Sequence, residues 1–125
     1  MTGLSKSSYY FCADKLFRYP INGNDCWIME KSIDISGCRI VLRTDRESGD
    51  DMTDNIDAYD MKGNHLWNIS EVQGMSKDRY AYADIWEEGI DMFGCYTFDG
   101  IVFVIGTENP HIIRTRFPSY AYAVD

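Results

Sequence analysis

Asn55-Ile56-Asp57-Ala58-Tyr59-Asp60-Met61-Lys62-Gly63-Asn64-His65-Leu66-Trp67-Asn68-Ile69 is the stretch that decides the fold. Two short segments rich in β-branched and aromatic residues, Asn55 to Tyr59 and His65 to Ile69, flank a polar loop. In that loop Gly63 and Asn64 can take the positive φ that a hairpin with a bulge requires. This hairpin sets the grammar for the rest of the chain: short strands and tight turns.

Upstream, Trp27, Met29, Ile33 and Ile35 fall on alternate positions, with Lys31 interrupting the apolar face. That is a strand pattern. Ser36-Gly37 supplies a turn and Arg39 to Arg43 a second strand, so Trp27 to Arg43 reads as another hairpin. Thr44 to Asp54 is polar and acidic, without apolar period, and reads as a mobile loop. Downstream, Ser70 to Asp78 is a polar connection. Tyr80 to Trp86 then reads as a strand with Tyr80, Tyr82 and Asp84 on one side and Ala81, Ala83 and Ile85 on the other, broken by Glu87-Glu88-Gly89. Met92 to Phe98, a turn at Asp99-Gly100, Ile101 to Ile105, a turn through Thr107 to Pro110, and His111 to Phe117 complete a meander.

No stretch carries an apolar stripe at helical spacing, which leaves room for at most one short helix, around Ser7 to Phe17. The expectation is a mainly β chain of eight or nine strands, an antiparallel sandwich or partly closed barrel. A parallel α/β architecture would need crossover helices. At 125 residues one domain is expected, residues 1–125, with its core between about residues 25 and 117.

The repeat-like block Asn55 to Ile69 resembles the strand-turn-strand unit of quinoprotein-type propeller repeats, with Phe98 to Ile105 and Ile112-Ile113 as a more divergent copy. A propeller needs several four-stranded blades, too many for this chain. The combination of hairpin, block and closing meander also resembles small uncharacterised bacterial β-rich proteins over about residues 25 to 117. Gly63, Trp67, Asp99 and Gly100 carry that likeness, and all serve turns and core. Some proteins of this small, acidic, β-rich sort are immunity proteins that neutralise a toxin domain, and the resemblance implies that role.

Twelve basic against twenty acidic residues give a formal charge of −8 and a pI near 4.6. Such a field repels phosphate backbones and anionic lipid, so no nucleic acid or membrane partner is expected, and it attracts basic proteins. A purely solubilising role is the simpler account of the same charge. Met1 to Tyr10 lacks the apolar segment and cleavage site of a secretory leader, which makes a cytoplasmic location the default expectation. The four scattered cysteines, Cys12, Cys26, Cys38 and Cys95, read as buried thiols.

Chemistry-bearing constellations are weak. Asp45, Glu47, Asp50, Asp51 and Asp54 crowd one loop but miss the spacing of a helix-loop-helix calcium site, so a solvated loop is the better reading. His65 and His111 have no partner at zinc-ligand spacing. Cys95, His111 and Asp99 could meet on adjacent strands, yet no nucleophile signature surrounds them. No metal, no cofactor and no enzymatic activity are expected. Trp27 and Trp67 read as core residues.

The segment Tyr80 to Glu88 mixes aromatics and acids, as a surface that anchors a basic protein does. Tyr80, Tyr82, Asp84, Trp86, Glu87 and Glu88, with Asp50, Asp51 and Asp54 of the acidic loop, are therefore the candidate partner-binding residues. A sheet face half covered by tyrosine rings is the competing account. The expected function is a protein-binding module that occludes a basic toxin domain. Its alternatives are a small-molecule-binding or enzymatic β barrel, and a self-associating chain, such as a homodimer, that uses an open strand edge.

Overall fold

A computed structural model describes residues 8–12, 15–19, 26–44 and 53–118. Among the described residues ten strands run in chain order: β1 Ser8–Cys12, β2 Lys15–Tyr19, β3 Cys26–Ile35, β4 Cys38–Thr44, β5 Ile56–Asp60, β6 His65–Asn68, β7 Tyr82–Gly89, β8 Met92–Thr97, β9 Val102–Gly106 and β10 His111–Arg116. They form two antiparallel meanders, a sheet of six in the order β1-β2-β3-β4-β5-β6 and a sheet of four in the order β10-β9-β8-β7. The helix allowed around Ser7 to Phe17 is not formed: β1 and β2 pair there, Ser8 opposite Tyr19 and Cys12 opposite Lys15. The sheet continues outward from β3, and pairing onto it avoids the nucleation cost that leaves an isolated short helix marginal.

The turns follow local chemistry. Ser36 and Gly37 both have positive φ, 51° and 78°, as a two-residue turn joining right-twisted strands demands. Gly63, at φ 91°, closes the β5–β6 loop, where the Asp60 carboxylate accepts from Lys62 N, Asn64 N and Asn64 Nδ2. Asn68 ends β6 and caps the 3-10 turn Ile69–Glu71: its Oδ1 accepts from Ser70 N, and Glu71 accepts from Asn68 N.

The inner faces of the sheets pack on each other without closing a barrel. Ile40 and Leu42 of β4, Ile56 and Ala58 of β5 and Trp67 of β6 share a buried cluster with Ile85, Phe93, Cys95, Phe103 and Ile105 of the second sheet. Trp67 and Phe93 stack between the sheets, ring centroids 6.1 Å apart. Each fully buried large side chain contributes roughly 1.5–3 kcal/mol of burial free energy, so this interior defines the sandwich. Ile69 and Val72, from the segment that links the sheets, close one end.

The strand Tyr82–Gly89 departs from simple alternation. Tyr82 lies opposite Thr97 and Asp84 opposite Tyr96, so Ala83 is an extra residue, a bulge. The bulge shifts the phase, and Tyr82 and Ile85 both face the core, 2% and 0% exposed. The strand also continues through Glu87 to Gly89, with a second irregularity at Glu88, and turns at Ile90-Asp91.

Candidate functional site

The end of β7 and its neighbours on the second sheet bring most of the unusual side chains together. The pairing register places two rows across the outer face of this sheet. One is Trp86, Gly94, Val104 and Arg114; the other is Asp84, Tyr96, Val102 and Arg116. Gly94 matters because a Cβ at that position would fall inside the Trp86 indole. Lacking one, the strand lets the ring lie flat on its backbone. The indole Nε1 donates to Glu88 Oε1 at 2.7 Å, Arg114 Nη2 donates to Glu88 Oε2 at 3.0 Å, and the Tyr96 ring sits 6.1 Å from the indole. Trp86 is thus fixed before any partner arrives. A groove of about 460 Å³ runs beside it, lined by Trp86, Glu88, Val102, Val104, Arg114 and Arg116 among others.

Past Glu88 the polarity reverses. A hollow of about 490 Å³ lies between the β3–β4 turn and the β7–β8 turn, lined by Asp34, Glu87, Glu88 and Asp91 together with Ile35 and Ile90. Ile90 is 86% exposed in the midst of these carboxylates. Asp34 pairs with Arg39 at 2.8 Å, which holds its carboxyl below the ordinary range, and Ser36 Oγ hydrogen-bonds Asp91 across the two turns.

A third polar group sits on the other face of the six-stranded sheet. Asp57 is buried and accepts from Arg43 Nε at 2.6 Å, His65 Nε2 at 2.9 Å and Asn68 Nδ2 at 3.0 Å. Burial alone would favour its neutral form, but the His65, Arg43 and Asn68 donors outweigh that and keep it ionised below the ordinary carboxyl value. A carboxylate so saturated with donors ties β4, β5 and β6 together.

The candidate residues divide. Trp86, Glu87 and Glu88 share the end of β7. Asp84 lies on the same outer face but is engaged by Lys31 at 2.9 Å, which lowers its carboxyl, so it is no unpaired charge for a partner. Tyr82 is a core residue, and burial raises its phenol well above the usual value. Tyr80 is half-buried and packs its ring 5.6 Å from that of Phe103. The Ala83 bulge is the reason: it turns Tyr82 inward and separates the tyrosines from the acids the alternation put beside them. Asp54 pairs with Arg79 at 2.8 Å, away from the end of β7. Asp50 and Asp51, with Asp45 and Glu47, lie outside the described residues. Gly94, Tyr96, Arg114, Arg116 and Ile90 were missed. A glycine inside a strand, marking a close approach, and the Arg-Thr-Arg alternation in β10 were the available signals.

Cys95 is fully buried in β8, and burial raises its thiol strongly. His111 instead lies against Gly106 and donates from Nδ1 to Asn109 O at 3.0 Å. The structure therefore does not assemble Cys95, His111 and Asp99 into a nucleophilic site. Among the described residues no three of His, Cys, Asp and Glu gather to hold a metal ion, and no helix is long and apolar enough to cross a membrane. No protein-family model, curated protein or solved structure matches the chain.

Proposed function

We propose that this chain is a protein-binding module that presents the end of β7 and the β7–β8 turn to a basic partner. The observation that carries the reading is Ile90, an almost fully exposed aliphatic side chain among Asp34, Glu87, Glu88 and Asp91, of which Glu87 and Asp91 form no ion pair among the described residues while Asp34 and Glu88 are paired with Arg39 and Arg114. An apolar anchor framed by carboxylates suits a cationic protein surface, which supplies aliphatic stems for the centre and ammonium or guanidinium groups for the rim. The formal charge of −8 adds long-range attraction for the same partner. Beside it the fixed indole of Trp86 offers a rigid contact that loses little entropy on binding. Neutralisation of a basic toxin domain by occlusion, as immunity proteins do, is the form of binding this charge distribution favours.

The test is a pull-down from lysate of the chain's own source at low and high salt, comparing the wild type with a double variant, Glu87→Lys and Ile90→Ser. Both side chains are exposed, so the variant should fold. A basic protein retained by the wild type, released by salt and absent from the variant supports the reading. Equal retention by both proteins refutes it.

A further inference from the structure

We infer that the side of β10 facing away from β9, which no strand among the described residues covers beyond Ile112, receives an acidic, extended polypeptide segment as an added strand. This site adjoins the acidic hollow at Glu88, which lines both, but its partner has the opposite charge. β10 is the outermost strand of the four-stranded sheet and bonds β9 on one side. Its other side already takes a main-chain partner at its start: Gln73 N donates to Pro110 O and Ile112 N donates to Gln73 O, both at 2.9 Å, in a parallel bridge. From Ile113 to Phe117 no strand among the described residues continues that pairing. Alternate N–H and C=O groups there face outward, the arrangement that strand addition uses.

Side-chain chemistry selects the occupant. Arg114 and Arg116 project on the outer face, one on each row, beside the valine floor of the groove. Arg114 shares Glu88 with the Trp86 indole, whereas Arg116 is exposed and forms no ion pair among the described residues. A neighbouring strand would place alternate side chains next to these arginines. Carboxylates meet them favourably, and apolar residues can reach Val102 and the indole. Ile113 and Phe117, 42% and 50% exposed, add apolar area along the edge. A second copy of this chain fits poorly. Antiparallel pairing of β10 with itself sets arginine against arginine whether it centres on Arg114, Thr115 or Arg116, and like charges directly opposite repel.

The experiment titrates the full-length protein into a fluorescein-labelled peptide of alternating valine and glutamate and reads anisotropy. The comparison peptides replace glutamate by lysine, or carry N-methyl groups on alternate backbone nitrogens. Saturable binding of the glutamate peptide is expected, with at least about tenfold weaker binding by Arg116→Glu, since a close charge pair becomes a repulsion. Binding is expected to be lost with the lysine or N-methylated peptides. Thr115→Pro, which removes one N–H at a strand edge where proline is tolerated, should also weaken binding while its circular dichroism stays native. Equal binding of the N-methylated or lysine peptide overturns the inference, as does failure of the glutamate peptide to bind. Sedimentation of the free protein as a β10-paired dimer, broken by Thr115→Pro, also overturns it. Loss of basic-partner capture in Glu87→Lys/Ile90→Ser leaves this result unchanged, so the two readings fail separately.

Discussion

The side chain of Asn55 forms a two-point clasp on the main chain of Tyr82: its Nδ2 donates to Tyr82 O at 3.0 Å, and Tyr82 N donates to its Oδ1 at 2.9 Å. The same Nδ2 also reaches Arg43 O at 3.2 Å, so one amide links β4 to the start of β7. Replacing it with alanine leaves the buried polar groups of Tyr82 without partners. The expected cost is about 3 kcal/mol. A urea midpoint for Asn55→Ala within error of wild type would contradict this account of how the two sheets are joined.

Asp57 predicts an acid limb in the stability curve. Its folded carboxyl lies below the ordinary 3.8, so around and below that value the unfolded chain binds the proton more readily. The stabilisation is complete above pH 3.8 and disappears as the pH falls through the lower folded value. Asp57→Asn should cost about 3 kcal/mol at neutral pH, because Arg43 loses its buried counter-charge. Its urea midpoint should also fall less steeply between pH 5 and pH 3 than that of the wild type. Parallel curves would show that Asp57 is not the titrating group.

Gly94→Ala tests the preorganisation of Trp86. The added methyl displaces the indole, breaks its bond to Glu88 and loosens Arg114. Tryptophan emission should move to longer wavelength, with a stability loss of about 1–3 kcal/mol. In a Trp86→Ala background the same glycine substitution should cost much less, because the clash is gone. An identical cost in both backgrounds would place the strain elsewhere.

The thiols of Cys38 and Cys95 should resist alkylation in the native protein. Cys38 is buried, with burial first and then Asp34 and Asp60 pushing its thiol up to about 11, and Cys95 is more deeply enclosed. At pH 8 almost no thiolate exists at either position. Mass spectrometry after iodoacetamide treatment should find both peptides unlabelled until denaturant is added. Rapid native labelling of Cys95 would reopen a role for it as a nucleophile.

Much of the fold was legible from β-branched and aromatic runs punctuated by Ser36-Gly37, Gly63 and Asp99-Gly100, because those turns depend on nearest neighbours. Two parts were not. Ser8–Cys12 and Lys15–Tyr19 carry aromatics that favour strands but no clean alternation, and they are held as strands by pairing with each other and with β3. The inward turn of Tyr82 depends on an unpaired Ala83, which no alternation rule reveals. The site shows the same divide. Trp86, Glu87 and Glu88 could be picked out by composition. Arg114 and Gly94 join them through a register across three other strands, a relation that is long in sequence and short in space.

The Ala83 bulge also divides β7 into two reading frames. Before it, the strand owes its inward residue to the tyrosine cluster; after it, to the aliphatic interior around Ile85. Deleting this one small residue would leave Tyr82 opposite Thr97 and Asp84 opposite Tyr96 in regular alternation, so Tyr82 and Ile85 would still face inward and only the local kink would be lost. Loss of a residue is tolerated at Ala83, where the pairing already skips one, whereas a deletion within Asp84 to Glu87 would turn the core face of the strand to solvent.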